Sequence, residues 1–266
     1  MSELNNHNGY TDFEEITNST STPIAMQSAF GALMRKVYTW MALALVVTGL
    51  TAFYVSGNYN ALAMLSGGGF WVCAIAEIIL VIAISAGIKK LSFPTAGLLF
   101  IAYSILNGLT LSFIFVAYTH SSIAQTFFIT AGTFAATALA GYFTKKDLSG
   151  MGRILFMALI GLIIATVVNI FMNNSVIYWI TSYAGVAIFV GLTAWDVQKI
   201  KQMFLQYGYD VNNQTQKLAL LGSLTLYLDF INLFIYLLRI FDSRNNIQYF
   251  TNRYNCKTSD HSFLSC

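Results

Sequence analysis

Seven apolar segments of the sequence are each long enough to cross a bilayer, whose hydrocarbon core of about 30 Å is crossed at about 1.5 Å per helical residue. Hydrophobic residues make up 56% of the 266 residues and charged residues 9%, whereas a soluble domain carries roughly 25% charged residues. The sequence therefore predicts an all-α membrane protein with a seven-transmembrane helix bundle. The predicted spans are Val37–Val55, Phe70–Ile88, Thr95–Tyr118, Ile123–Phe143, Ile154–Met172, Val176–Asp196 and Leu218–Phe241.

The chain is predicted to divide into three parts. Residues 1–34 are expected to be a disordered acidic tail, because this segment is polar and carries acids but no basic residue before Arg35. Residues 35–241 form the membrane domain, in which short links force neighbouring spans to run antiparallel and to pack as one bundle. Residues 242–266 form a polar C-terminal tail.

Basic residues predict the orientation of the bundle. Before the seventh span they occur on one set of alternate links, whereas the links after the first, third and fifth spans contain no Lys or Arg. Because basic residues accumulate on cytoplasmic links, the N-terminus is predicted to be cytoplasmic, and the compact core favours a bacterial inner membrane. The basic residues beyond the seventh span either make the C-terminal tail an exception or indicate that the last segment does not fully cross.

The seventh span carries a polar stripe around Asp229. On a helix, the stripe residues recur at steps of three and four and so share one face. A charged carboxylate in hydrocarbon costs on the order of 3 kcal/mol or more, so Asp229 is expected to face protein or water and to have a function. The stripe consists of Gly222, Thr225, Asp229, Asn232, Tyr236 and Arg239.

Asp196, at the cytoplasmic end of the sixth span, is a candidate partner for Asp229. A carboxylate at a helix C-terminus is unfavourable because the helix dipole is negative there, and Lys89, Lys90, Lys199 and Lys201 are the nearby cations that could compensate it. If the two spans are neighbours, their carboxyl groups cannot both be ionised cheaply in one poorly solvated site. The pair is then expected to share a proton, to respond near physiological pH, and to offer the oxygen ligands that suit a hard cation.

Other intramembrane polar residues suggest a secondary polar pathway. Glu77, in the second span, is expected to be protonated or to hydrogen-bond to an amide such as Asn107 or Asn169. Thr225 and Asn232 extend this set along the stripe of the seventh span. For these residues a role in bridging helices competes with a role in conduction.

A repeat of small residues marks the fourth span. Gly132, Ala136 and Ala140 recur every four residues, a spacing that allows a neighbouring helix backbone to approach closely. The stripe therefore predicts a helix-packing face in the fourth span.

Motifs of membrane and metal enzymes are missing from the sequence. The GxGD motif of intramembrane aspartyl proteases, the GxSG motif of rhomboid-type proteases, HExxH and paired CxxC are all absent. The sequence therefore predicts a protein that is not an enzyme and that binds no cofactor. A basic cluster of the kind that binds nucleic acid is also absent, and the predicted partner is the lipid bilayer.

Two stretches resemble the motifs of the Bax inhibitor-1 family, also called the transmembrane Bax-inhibitor-motif family. SLTLYLDFINLFIYLLRIF in the seventh span resembles the family signature, and GLTAWDVQKIK in the sixth resembles its second aspartate motif. KKDLS, VVNIF and AEIIL agree less specifically. The resemblance covers roughly residues 30 to 241.

The resemblance implies a seven-helix bundle, with helix seven near its centre, that forms a pH-sensitive calcium leak. It implies that Asp196 and Asp229 are the pH-sensing pair and that a basic residue at the inner end of the second span latches them. Lys89 and Lys90 are the latch candidates here, where relatives often have Arg, which can form two parallel hydrogen bonds instead of one. A regulatory role by contact with a membrane protease or with stress and cell-death machinery is the alternative that the resemblance implies.

Overall fold

The computed structural model describes the backbone of residues 8–88, 90–144, 146–207 and 213–258, and side chains within residues 28–241. In these ranges the chain is almost entirely helical. A π-helical turn at Leu65–Gly69 joins α2 to α3, with Gly68 in the left-handed region at φ 105°. The helices are α1 (Asn8–Ser56), α2 (Tyr59–Met64), α3 (Phe70–Gly87), α4 (Phe93–Ala117), α5 (His120–Phe143), α6 (Ser149–Met172), α7 (Ser175–Tyr207) and α8 (Asn213–Thr258).

Seven helical stretches of the described chain are long and apolar enough to cross a membrane, which confirms the predicted all-α bundle. The first lies within α1, the second runs through α2 and α3, and the next five correspond to α4 to α8. Their lengths range from 24 to 31 residues. The stretches are Ser28–Ser56, Tyr59–Gly87, Phe93–Ala117, His120–Phe143, Ser149–Met172, Ser175–Leu205 and Thr215–Phe241.

Helix α1 is longer than the sequence predicts. It begins at Asn8, so the backbone of residues 8–34 is helical and not the disordered chain expected from its composition. Extending a formed helix gains one hydrogen bond for each residue that is fixed, so a membrane helix can continue into a polar segment. The domain boundaries after residues 34 and 241 stay predictions.

Helices α7 and α8 also extend beyond their predicted spans. α7 continues to Tyr207 and α8 starts at Asn213, so most of the predicted polar link 197–217 is helical. The seventh span is 27 residues long, enough for a full crossing.

The seventh span forms the centre of the bundle, as the resemblance implies. In its most apolar stretch 72% of the residues are buried, against 6% in the second and fifth spans. α8 packs against α1, α4, α5 and α7. Because α8 has helices on several sides, its polar side chains face protein and not lipid.

A buried tyrosine ties α8 to two of its neighbours. The Tyr227 side chain is fully buried, and its hydroxyl lies 2.6 Å from Thr48 Oγ1 of α1. The Thr48 hydroxyl donates to the Ser104 carbonyl of α4 at 2.9 Å. This chain of hydrogen bonds satisfies three polar groups in an apolar interior, where an unpaired group would be costly.

Helices α5 and α7 approach each other closely at Gly141 and not along the small-residue stripe. A Cβ at Gly141 would lie 2.3 Å from the Ala194 carbonyl oxygen and 2.8 Å from the Ala194 Cα. Gly132, Ala136 and Ala140 are exposed on the outer face of α5, and a Cβ at Gly132 would have no neighbour within 4 Å. The prediction that this stripe packs against a helix of the bundle is therefore wrong.

Candidate functional site

The two predicted aspartates meet between α7 and α8. Asp196 and Asp229 are each 5% exposed, and their carboxyl groups hydrogen-bond to each other. An ionised carboxylate can only accept hydrogen bonds, so such a contact can form only when one of the two groups carries a proton. The structure thus brings together the pair that the sequence predicts.

The surroundings of the pair are mostly apolar. Asp229 Oδ2 is buried and has no hydrogen-bond partner among the described residues. Lys199 follows Asp196 by three residues on α7, and its charge acts on both carboxyl groups. Lys199 Nζ lies 4.7 Å from the centre of the Trp195 ring. The pair is therefore a poorly solvated site with a cation beside it on its own helix.

Of the two latch candidates, Lys90 lies among the described residues, shortly after the end of α3. The Lys90 side chain is exposed, and its backbone N–H donates to the Gly87 carbonyl at 2.8 Å. Lys89 lies outside the described residues. A latch by Lys89 or Lys90 stays a prediction, whereas Lys199 is the cation that the structure places near the pair.

A cavity of about 470 Å³ lies between α3, α4 and α8, towards the end of the bundle opposite the basic links. Glu77 and Asn107 line it, together with Thr110, Asn232 and Arg239. The Glu77 carboxyl accepts hydrogen bonds from the Thr110 hydroxyl at 2.8 Å and from Asn107 Nδ2 at 3.4 Å. The prediction that Glu77 hydrogen-bonds to an amide on another helix is confirmed for Asn107.

An amide beside the cavity has one buried oxygen without a hydrogen-bond partner among the described residues. Asn107 is 7% exposed, and its Oδ1 has no partner among the described residues. Asn107 Nδ2 also lies 3.4 Å from the Tyr103 hydroxyl. Carboxylate, amide and hydroxyl oxygens are the ligands that hard cations prefer, and residues with all three groups line the cavity.

The polar stripe of α8 links the cavity to the pair. Asn232, which lines the cavity, lies three residues after Asp229 and therefore on the same helix face. Its Nδ2 donates to the Leu228 carbonyl at 2.8 Å. Thr225 lies one turn before Asp229 and its hydroxyl donates to the Leu221 carbonyl at 3.1 Å.

Arg239, at the outer end of the same face, contacts two aromatic rings. Its guanidinium carbon lies 5.2 Å from the centre of the Tyr236 ring and 5.7 Å from that of Tyr178. Tyr236 in turn packs against α7, because a Cβ at Gly185 would lie 2.6 Å from its ring. Cation–π contacts of this kind hold an arginine at the edge of an apolar bundle.

Asn169 does not belong to this group of residues. It lies at the end of α6, where its Oδ1 accepts a hydrogen bond from the Asn174 N–H at 3.0 Å. Asn173 follows in the left-handed conformation at φ 47°. Asn169 was expected in the secondary polar pathway, but it does not line the cavity. Its side chain instead stabilises the turn between α6 and α7.

The sequence reasoning missed the contacts of Gln198. This side chain is 7% exposed and hydrogen-bonds to three backbone groups of the link between α5 and α6. Gln198 belongs to the motif GLTAWDVQKIK, but the motif does not indicate which backbone groups its amide contacts.

Comparison with known proteins decides the family. Residues 31–246 match the family model described as "Inhibitor of apoptosis-promoting Bax1". The chain belongs to the Bax inhibitor-1 family. The matched range contains Asp196, Asp229 and every residue of the cavity, so the resemblance expected from the two aspartate motifs is confirmed over the whole membrane domain.

Several bacterial relatives are similar along most of their length. "Inner membrane protein YbhL" of Escherichia coli (strain K12) is 47% identical over 79% of this chain and 91% of its own. An "Uncharacterized protein" of Borreliella burgdorferi is 43% identical over 80% of this chain and 92% of its own. A protein of Rickettsia prowazekii is 39% identical over 88% of this chain and 99% of its own. With its seven spans, this member of the family is a multi-pass integral protein of the bacterial inner membrane.

Proposed function

We propose that this protein is a passive, pH-sensitive calcium leak whose conductance is gated by the coupled pair Asp196 and Asp229. The observation that carries the proposal is the hydrogen bond between these two buried carboxyl groups. Losing the shared proton leaves two negative charges in contact in a site of low polarity, and their repulsion favours a different packing of α7 against α8. Protonation then acts as the switch between two arrangements of the helices.

The outer cavity provides the other half of the pathway. A cation that enters it meets the Glu77 carboxyl and the Asn232 amide. Asn232 then leads along one turn of α8 to Asp229. In the described arrangement Leu228 and Ile231 line the inner part of the cavity, and we infer that this apolar layer closes the path until α7 and α8 repack.

Calcium as the conducted ion follows from the family resemblance, and the donor set agrees with it. Calcium takes oxygen ligands in flexible geometries, and the pair and the cavity offer carboxyl, amide and hydroxyl oxygens. Calcium is transported in this proposal and is not a resident cofactor.

The proposal is tested by calcium flux into liposomes that contain the purified protein, from about pH 6 to about pH 8. We expect a flux above that of protein-free liposomes, and we expect it to change by roughly tenfold over this range, as the protonation of one site changes. Liposomes containing an unrelated seven-helix protein control for non-specific leak.

Flux equal to that of the controls at every pH would overturn the leak. The alternative is a regulatory role by contact with a membrane protease or with stress and cell-death machinery. A contact role should survive Asp229→Asn, whereas a leak gated by the pair should not keep its pH response.

A further inference from the structure

Helix α7 carries a row of side chains on the face directed away from Asp229. Trp195, Gln198 and Lys201 follow each other at three-residue steps and therefore share one face. A Cβ at Gly152 of α6 would lie 2.2 Å from the Trp195 ring. Lys201 Nζ lies 3.5 Å from the Tyr142 carbonyl oxygen of α5. This face contacts the ends of two helices at once, and Gln198 lies at its middle.

Gln198 holds the link between those two helices by its amide group. Its Nε2 donates to the Lys146 carbonyl at 2.8 Å and to the Thr144 carbonyl at 3.3 Å. Its Oε1 accepts from the Leu148 N–H at 2.8 Å. Leu148 is the N-cap residue of α6 and provides no side-chain cap, and Gln198 supplies the acceptor for its N–H that a Glu or Gln at the third helical position supplies in a capping box.

The Gln198 side chain lies close to Asp196 in the sequence but on the opposite side of α7. Gln198 follows Asp196 by two residues, and two helical residues turn by about 200°. On one side of α7, Gln198 is thus held by the backbone of the link, and on the other side Asp196 meets Asp229. Two carboxyl groups that repel each other when both are ionised need such an external restraint to stay in contact.

We propose that Gln198 is a positioning residue, which fixes the cytoplasmic part of α7 to the α5–α6 link and thereby holds Asp196 in contact with Asp229. The consequence for gating rests on the proposed leak, whereas the geometric role does not. Gln198 touches neither carboxyl group, and it acts through the position of the helix.

A cross-linking experiment separates these two claims. In a full-length chain whose three cysteines are replaced by alanine, cysteines at positions 196 and 229 are joined by a short thiol-specific cross-linker in membranes. Gln198→Met keeps a similar side-chain volume but loses three hydrogen bonds, and we expect roughly tenfold slower cross-linking. Gln198→Glu keeps the acceptor for Leu148 but loses both donors, and we expect an intermediate rate.

Gln202→Met is the matched control, because Gln202 is exposed, lies one turn further along α7, and contacts the exposed Asp147. It should cross-link at the unmodified rate. Equal rates for all variants would overturn the positioning role, even if Gln198→Met loosened the link.

Calcium flux through Gln198→Met in the otherwise native chain gives the second readout. We expect its pH response to be reduced at least about threefold relative to Gln202→Met. If the native chain shows no flux at any pH but cross-linking depends on Gln198, the leak fails and the positioning role stands. If the native flux depends on pH but cross-linking is the same in the Gln198 variants, the proposed leak stands and the positioning role is overturned.

Discussion

Replacing either aspartate of the pair by asparagine is expected to remove the pH response of the calcium flux. Asn has nearly the same shape as Asp but carries no titratable proton, so Asp196→Asn and Asp229→Asn each leave a single carboxyl group facing an amide. A flux that changes roughly tenfold between about pH 6 and about pH 8 in the native protein should change less than about twofold in either variant. The measurement is ion flux into liposomes, with the protein content of each preparation matched.

Asp147→Asn is the control for removing a carboxylate. Asp147 lies in the link between α5 and α6, is exposed, and accepts a hydrogen bond from the Ser149 N–H at 2.9 Å. The hydrogen bonds from Ser149 hold the pKa of Asp147 below its usual range, with a smaller contribution from Gln202. It is therefore ionised throughout the tested range, and its loss should leave the pH profile unchanged. A native profile in Asp229→Asn would contradict the gate.

Gly141→Ala is expected to lower the free energy of unfolding by about 3 kcal/mol, at the upper end of the cost of overpacking. The added Cβ would lie 2.3 Å from the Ala194 carbonyl oxygen, and a backbone atom cannot rotate away as a side chain can. α5 and α7 must therefore separate near Asp196, which follows Ala194 by two residues on α7. Unfolding in detergent, followed by circular dichroism, measures the change.

Gly132→Ala isolates the clash from the change in helix propensity. Both substitutions lie on α5 and both replace Gly by Ala, which favours a helix by roughly 1 kcal/mol. Gly132 has open space around its Cβ position, so its variant should be as stable as the native protein or more stable. Equal stability of the two variants would mean that α5 and α7 do not approach as closely as described.

Periodicity made the spans and the aspartate pair predictable. The membrane imposes one length on every crossing helix, so seven apolar segments define seven spans. The three-and-four spacing around Asp229 defines one helix face, and the expense of a buried charge implies that this face meets another polar group. Asp196 was the available partner on a neighbouring span, and the structure brings the two together.

Contacts that depend on a second helix could not be predicted in the same way. The spacing of Gly132, Ala136 and Ala140 specifies a smooth helix face, but the sequence of one helix does not say whether lipid or protein covers it. Gly141 lies one residue beyond that stripe and makes the close contact instead. Gln198 likewise binds backbone groups whose position is set by the ends of α5 and α6.

The most direct test of the coupled pair is a pH titration of its carboxyl groups by infrared difference spectroscopy, with the C=O bands assigned by their loss in Asp196→Asn and Asp229→Asn. Two carboxyl groups that share a proton lose their protons in two well-separated steps. We expect two such steps in the native protein and one step in each variant. A native titration in which both groups lose their protons together in one step would contradict this expectation.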